Sequence, residues 1–198
     1  MNKPIVAALT LCLAPLSLGG CLDDKVLEIV LTGETSAEFS QNEITATWTK
    51  PAIIDMADEI GDILEDNGYE RADLKQAHVT SAHYGVTSFS QSNDWTISGT
   101  ITVTYNADTQ TIVSYASQSV QDALGEKIAA PLEPGGVDLI NQALDDFRSG
   151  QNPVLIFTIN NGSTTPTPSV VDPMIFDWRA WLAIQVIVDQ TVEVPDPF

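Results

Sequence analysis

The side chains that could carry chemistry in this chain are mostly carboxylates. Its 198 residues include 27 Asp and Glu, eight Lys and Arg, two His and two Cys, for a formal net charge of −19 at pH 7. In a chain this acidic, two carboxylates at a spacing that suits glycoside hydrolysis can always be chosen, so such a pair carries no information. No Gly-x-Ser-x-Gly, His-Glu-x-x-His or P-loop pattern occurs. The sequence therefore assigns no catalytic residue and favours a protein that is not an enzyme, with a hydrolase of unknown specificity as one alternative.

The two histidines, His78 and His83, lie five residues apart in one predicted strand. An odd separation places two side chains on opposite faces of a strand unless a bulge intervenes. We therefore expect that the two imidazoles do not bind the same metal ion. The sequence predicts no metal ligand and no cofactor.

Calcium is the metal that suits so many carboxylates, because it binds oxygen ligands. The stretch Asp66-Asn67-Gly68-Tyr69-Glu70 contains acids around a glycine, but it lacks the Asp-x-Asp-x-Asp-Gly order of an EF-hand. We interpret it as the end of a helix, with Asn67-Gly68 supplying a left-handed stop. A calcium site assembled from separate loops stays an open alternative.

The amino-terminal residues have the features of a secretory signal. Lys3 supplies an early positive charge, residues 5 to 18 are apolar apart from Thr10 and Ser17, and Gly19-Gly20 precedes Cys21. The apolar run is about 14 residues long, and a membrane-spanning helix needs about 20. These features predict a segment that directs export and is then removed.

The four residues Leu18-Gly19-Gly20-Cys21 resemble the lipobox of bacterial lipoproteins. The resemblance implies that the Cys21 thiol is diacylglycerylated, that residues 1 to 20 are removed, and that the new amine is usually acylated. Acyl chains contribute about 0.8 kcal/mol per buried methylene, and two or three of them hold a protein to a membrane. Inner-membrane lipoproteins often have Asp directly after the cysteine, whereas this chain has Leu22, so the resemblance implies the outer membrane. Whether the protein faces the periplasm or the cell surface stays open.

This resemblance divides the chain into three parts. Residues 1–20 are the predicted signal peptide, residues 21–25 the lipidated anchor and tether, and residues 26–198 a single globular domain. Cys12 lies in the part that would be removed, so the mature chain would have no free thiol and no disulfide. Removing Lys3 leaves 27 acids and seven bases, a net charge of −20. Such a charge repels phosphate backbones, so the sequence excludes nucleic acid as a partner.

Period-two patterns predict a mainly β domain. In Trp95–Tyr105 apolar residues occupy one parity and Thr or Ser the other, and the run 176–188 repeats the pattern with Phe, Trp, Leu, Ile and Val. The polar link 106–110 indicates a hairpin between the first of these strands and the run 111–120. Further strands are expected at 26–31, 43–48, 73–84 and 154–159. We interpret residues 160–173 as a long surface loop.

Two amphipathic helices interrupt the strands. After Pro51, Ile53, Met56, Ile60 and Ile63 recur at helical spacing, and a second helix is expected from about Val137 to Phe147, ending at Gly150. The predicted fold class is α+β, mainly β: an antiparallel two-sheet sandwich with both helices packed on it. The alternative is a single antiparallel sheet with both helices on one face.

The functional expectation is a lipid-anchored, non-enzymatic binding or structural module of the bacterial cell envelope. Its partner could be an envelope protein, a glycan or a small molecule, and a periplasmic carrier of an apolar small molecule or lipid is the main alternative. Phe89 lies in a polar loop, 85–94, and Trp181 lies on the wetter parity of the last strand. These two aromatic residues are the candidate contacts, because exposed aromatics often carry recognition.

Overall fold

The computed structural model describes residues 25–91 and 93–192 of the chain. The predicted signal peptide, Cys21 and the tether up to residue 24 lie outside the described residues. The described elements are β1 (Lys25–Glu43), β2 (Trp48–Asp55), α1 (Met56–Asp66), a 3₁₀ turn (Arg71–Asp73), β3 (Leu74–Phe89), β4 (Thr96–Tyr105), β5 (Asp108–Ser119), β6 (Ile128–Ala130), α2 (Pro134–Arg148), β7 (Val154–Thr165) and β8 (Met174–Val192).

The strands form two four-stranded sheets, and every pair of neighbouring strands is antiparallel. Sheet A has the order β1-β8-β3-β6, and sheet B has the order β2-β7-β4-β5. The predicted antiparallel two-sheet sandwich with two helices is therefore confirmed, and the alternative of a single sheet is wrong. The strand β6 was not predicted, because three residues are too few to show a period.

The core lies between the two sheets. On β8 the predicted inner parity is confirmed, since Phe176, Trp178, Leu182, Ile184 and Val186 are each at most 6% exposed. Their side chains face the alternating apolar positions of sheet B, such as those of β4 and β7, as period-two strands with one buried face require. The largest fully buried side chains are Trp95, Phe176, Met56, Ile60, Leu64, Ile112, Ile140, Leu144, Leu155, Ile159, Met174 and Ile184.

Helix α2 closes one side of the sandwich. Because β6 covers only the later part of β3, the earlier part of that strand has a free edge, and α2 lies beside it. The backbone N–H of Val79 donates to Asn141 Oδ1 (3.2 Å), and Arg148 donates to the carbonyl of Lys75 (2.8 Å). On sheet B the helix contacts β4 and β5. α2 therefore takes the place of a strand and joins the two sheets.

Helix α1 packs against β1 of sheet A and against β2 and β7 of sheet B, and it also contacts α2. Ile63 packs directly on Gly33, whose missing side chain makes room for it. The guanidinium of Arg71, in the turn that follows α1, donates to the carbonyls of Phe147 and Gln151 and stacks on the Phe147 ring at 3.9 Å. This residue ties the turn after α1 to the end of α2. The helices thus lie beside the sheets rather than on their outer faces.

The start of α1 differs from the prediction. Pro51 and Ile53 belong to β2, where Ile53 is 72% exposed, and the helix begins at Met56. Asp55 is the N-cap, and its Oδ1 accepts from the backbone N–H of Ala57 (2.9 Å). Pro51 lacks a backbone donor, which an edge strand tolerates. The predicted strand at 43–48 is also wrong, because residues 44–46 form a bend between β1 and β2.

The predicted loop 160–173 is too long. Residues up to Thr165 continue β7, and Asn161 and Thr164 are buried at 4% exposure each. Asn161 Nδ2 donates to the carbonyl of Ala46 (3.0 Å), which fastens the bend between β1 and β2. Buried polar residues of this kind break the apolar period by which strands are recognised, so β7 is longer than its apolar residues indicate.

Three local predictions are confirmed. β4 and β5 form a hairpin whose turn residues Asn106 and Ala107 both have positive φ. α1 ends at Asp66 with Asn67 as its C-cap, and Gly68 follows with φ of +79°. α2 begins three residues earlier than predicted, at Pro134, and Gly150 follows it with φ of +98°.

The first and last strands pair with each other along their whole length. β1 and β8 are 19 residues long each, and their register runs without a shift from Lys25 opposite Val192 to Glu43 opposite Met174. The described chain therefore begins and ends at the same corner of sheet A.

Candidate functional site

Phe89 is the last residue of β3, and its side chain is half-buried and packs against the core. The segment that follows is tied down by Gln91. The Gln91 side chain accepts from Trp95 Nε1 (3.0 Å) and from the backbone N–H of Ile175 (2.7 Å), and it donates to the carbonyl of Pro173 (2.6 Å). The predicted contact at Phe89 thus lies in a segment that is fixed to the start of β8, and only part of the ring is open to a partner.

Trp181 lies on the outer face of sheet A, where its side chain is partly exposed. Trp181 belongs to β8, which lies between β1 and β3 in the sheet, so residues of both neighbouring strands surround the ring. Ser36 of β1 and His83 of β3 are its register partners. No described helix covers this position, so the ring is available at the surface.

Both histidines share the outer face with Trp181, against the prediction that they lie on opposite faces. His78 is opposite Gln185 and His83 is opposite Trp181, and these two β8 residues are four apart and on one face. A register shift between Val79 and Ser81 inserts one extra residue into β3 and returns His83 to the side of His78. Four residues along a strand still separate the imidazoles by about 13 Å, too far to bind one ion.

Two cations flank the Trp181 ring. Lys127 Nζ lies 5.2 Å from the ring centroid and the guanidinium carbon of Arg179 lies 5.8 Å from it, both within the range of cation–π attraction. Each cation is also paired with a carboxylate of β1, Lys127 with Glu34 and Arg179 with Glu38. We call the six residues Trp181, His83, Lys127, Arg179, Glu34 and Glu38 the Trp181 cluster.

A glycine allows this cluster to form. A Cβ at Gly85 would collide with the carbonyl of Glu126 and would lie 3.4 Å from the Trp181 ring. The segment that follows β5 also bonds to the end of β3, through Val86 N–H to the Ala123 carbonyl (3.0 Å) and Gly125 N–H to the Val86 carbonyl (2.9 Å). These contacts bring Lys127 over the ring.

The chemistry of the Trp181 cluster is that of recognition. Tryptophan and arginine are enriched in the hot spots of binding interfaces, and here Trp181 lies beside Arg179. Lys127 and Arg179 are more than 30% exposed in their side chains, so their ion pairs with Glu34 and Glu38 contribute little to folding stability and can exchange partners. The sequence indicated Trp181, and Arg179 shares its face because it lies two residues away on the same strand. Lys127, His83, Glu34 and Glu38 come from segments distant in the sequence, and no local pattern shows that they join the cluster.

No group of three His, Cys, Asp or Glu side chains within residues 25–91 and 93–192 is arranged to hold a metal ion. The same part of the chain contains no helix that is both long enough and apolar enough to cross a membrane.

A cavity lies between the sheets at mid-height. Small side chains on all four strands of sheet A create it: Ala37, Ala180, Ala82 and Ala130. The volume of this cavity is about 20 Å³. A cavity of about 10–15 Å³ holds one water molecule, and pockets for drug-sized ligands are about 300–1,000 Å³. This cavity has room for a water molecule and not for a lipid.

Two tyrosines lie near this interior. Burial raises the pKa of Tyr115 well above its ordinary value, and the nearby Tyr84 adds a smaller contribution. Burial also raises the pKa of Tyr84, whose hydroxyl donates to Gln118 Oε1 (2.9 Å). The Tyr115 hydroxyl donates to Asn161 Oδ1 (3.4 Å), and its ring packs edge-on against Trp178 at 6.0 Å. Both phenols are therefore held in the neutral form as part of the packed interior.

Comparison with known proteins adds little to this description. No family model matches the chain, and no curated protein matches it. Among solved structures, a chain of Desmodium yellow mottle tymovirus is similar at 10% identity over 99% of this chain and 99% of that chain, with a TM-score of 0.29. A likeness at that TM-score carries no argument about fold or function.

Proposed function

We propose that this protein is a lipoprotein of the bacterial outer membrane, anchored through Cys21, whose sandwich acts as a non-enzymatic binding module of the cell envelope. The lipobox-like residues before Cys21 support the anchor. The observation that carries the binding role is the Trp181 cluster, a partly exposed ring between two cations on an uncovered sheet face. The size of the interior cavity favours this role over that of a lipid carrier.

The position of the first strand supports a defined orientation on the membrane. Only three residues lie between Cys21 and Lys25, and the four residue steps give a reach of at most about 14 Å. An anchor this short would hold the Lys25 corner of the sandwich close to the bilayer. The bend at 44–46 lies at the other end of β1, about 60 Å away for 19 extended residues, and would point away from the membrane.

Replacement of the anchoring cysteine tests the first half of the proposal. We expect Cys21→Ala to move the protein from the membrane fraction to the soluble fraction of the envelope, because the acyl chains are lost. Cys12→Ala is the matched control and should leave the protein on the membrane. If Cys21→Ala stays membrane-bound after a high-salt wash, the anchor is not at Cys21.

Photo-crosslinking in living cells tests the second half. A benzophenone amino acid at position 181 should give one discrete adduct with an envelope component, because this position faces the partner. The same group at Val171, which is 96% exposed on a loop, is the control for random collision. Equal adducts from both positions would contradict a recognition role for the Trp181 cluster. Native mass spectrometry of the protein would reveal a bound lipid-sized mass if it were a carrier instead.

A further inference from the structure

The central part of the outer face of sheet B is a regular array without charge, and Asp55, opposite Val154, lies at its rim. Three rows of register partners cross its four strands, with side chains pointing away from the core. Seven of the twelve residues are threonine and none is charged. We call these twelve residues the threonine face: Ile53, Ile156, Thr104 and Thr109 in the first row, Pro51, Thr158, Thr102 and Thr111 in the second, and Thr49, Asn160, Thr100 and Ser114 in the third.

This lack of charge is unusual for this chain. Its net charge is −19, and each of the three long strands of sheet A carries charged residues, among them Glu34 on β1, Arg179 on β8 and Lys75 on β3. Glu133 lies at the rim of the threonine face, where it accepts from the Ser114 hydroxyl. Two highly acidic molecules repel each other wherever carboxylates meet, so an uncharged face is where they can approach most closely.

The polar groups of the threonine face bond to one another, both along the rows and between them. The hydroxyls of Thr104 and Thr109 are 2.8 Å apart, Thr102 Oγ1 donates to the carbonyl of Thr158 (3.3 Å), and Asn160 Nδ2 donates to Thr102 Oγ1 (3.3 Å). Because these donors already have partners within the face, removing water from it costs less than removing water from free hydroxyls. The face therefore suits a dry contact better than a hydrogen-bonded ligand.

An exposed apolar pair lies in the first row. Ile53 and Ile156 are direct cross-strand partners and are 72% and 38% exposed, and Val154 beside them is 45% exposed. Their burial against an equivalent patch would remove apolar surface from water. The described elements leave this patch uncovered, since α1 and α2 lie at the edges of the sheets and between them.

We propose that two copies of this chain associate through their threonine faces, about a two-fold axis that lies in the plane of contact and runs from the Ile53–Ile156 pair through the centre of the face, between Thr158 and Thr102. Each face contributes the same uncharged rows and the same Ile53–Ile156 pair, as an isologous contact requires. Four strands about 4.8 Å apart and three rows about 6.7 Å apart cover roughly 400 Å² in plane. Stable specific interfaces bury about 800 Å² per partner, so this association is weak and depends on concentration.

Thiol crosslinking of the full-length chain in cells tests the contact. Thr158→Cys places a thiol at the centre of the face, and Val171→Cys places one at an exposed position away from it. A short bismaleimide should join two Thr158→Cys chains at least about 10-fold more efficiently than two Val171→Cys chains. The parent chain, with its own cysteines only, sets the background. An equal yield from the two variants would overturn the proposal.

Charge and salt provide the second readout. Ile53→Lys in the Thr158→Cys chain should reduce the crosslinked dimer at least about 10-fold, because each dimer then buries two new charges. Ile44→Lys, at a residue that is 50% exposed on the bend away from this face, is the matched control and should leave the yield unchanged. Added salt should raise the yield, since it screens repulsion between acidic chains. A yield that falls with salt, or that is insensitive to Ile53→Lys, would contradict association through this face.

Discussion

Tyr115 shows how a single side chain connects packing with pH. Its ring lies between the sheets beside Trp178, and its hydroxyl reaches Asn161 (3.4 Å). Burial disfavours the phenolate, which raises the pKa of Tyr115. A group whose pKa is raised by folding contributes stability that is complete below its unfolded pKa, about 10 for tyrosine, and that is lost as the pH rises above it.

We therefore expect the free energy of unfolding to fall above pH 10. One tyrosine with a raised pKa contributes a slope of up to about 1.4 kcal/mol per pH unit in this range. Tyr115→Phe should lower stability at pH 7, because it removes the bond to Asn161, and should flatten the slope above pH 10. Urea unfolding at a series of pH values measures both effects. A variant that keeps the slope of the parent would mean that Tyr115 does not carry it.

At the scale of residues, the sequence identified Trp181 but not what surrounds it. Trp181 stood out because a large apolar residue broke the polar parity of its strand. Lys127 reaches the ring from the segment that follows β5, so no spacing in the sequence connects it with Trp181. Arg179 lies two residues before Trp181 on β8, so the period of the strand already places it on the same face. His83 was assigned to the wrong face because the bulge before Ser81 has no marker such as glycine.

At the scale of elements, two helical glycines have opposite surroundings. In α1, a Cβ at Gly61 would meet no atom within 4 Å. In α2, a Cβ at Gly136 would lie 2.6 Å from the Cα of Ile112, so the helix backbone touches β5 directly. Helix propensity favours alanine at both positions, but packing forbids it at the second.

Alanine substitution at the two glycines should therefore give changes of opposite sign. Gly61→Ala should stabilise the protein by about 0.5–1 kcal/mol, since it reduces the entropy of the unfolded chain. Gly136→Ala should destabilise it by about 1–3 kcal/mol, because α2 has to move away from β5. Thermal or urea unfolding of both variants measures the difference. If Gly136→Ala were as stabilising as Gly61→Ala, the close docking of α2 would be wrong.

The elements could be predicted where one period persisted. β4 and β8 alternate apolar and polar residues, so the sequence predicts both strands. The short polar link after β4 predicts the hairpin with β5. The start of α1 was misplaced because Ile53, Met56 and Ile60 have helical spacing although Ile53 is an exposed strand residue. Asp55 is the signal that marks the boundary, since its side chain caps the helix.

At the scale of the whole molecule, charge is the dominant feature. Removal of residues 1–20 would leave seven bases for 27 acids, so at least about 20 carboxylates have no basic partner. The observed ion pairs lie on the surface, where each contributes at most about 1 kcal/mol. Repulsion among the unpaired carboxylates therefore outweighs attraction within the pairs.

Stability should accordingly rise with ionic strength. Between roughly 10 mM and 150 mM salt the screening length falls from about 30 Å to about 8 Å, and we expect the free energy of unfolding to increase by on the order of 1 kcal/mol. Urea unfolding in sodium chloride measures this, and an equal concentration of a neutral osmolyte is the control for excluded-volume effects. A decrease with salt would show that the ion pairs dominate instead.

The threonine face could be predicted only in part. The polar parity of β4, with Thr100, Thr102 and Thr104, was visible as a wet face. That β7 and β2 extend it into three uncharged rows follows from sheet order, which joins strands far apart in the chain.

The pairing of β1 with β8 has a consequence for how the protein is made. β1 is synthesised early, and its hydrogen-bonding partner β8 leaves the ribosome about 150 residues later. Sheet A therefore lacks the strand that joins β1 to β3 until β8 has been made. Contacts this distant in sequence make folding slow. The export proposed above would require the chain to stay unfolded until it has crossed the membrane. An architecture that is completed by the last described strand would delay folding during synthesis.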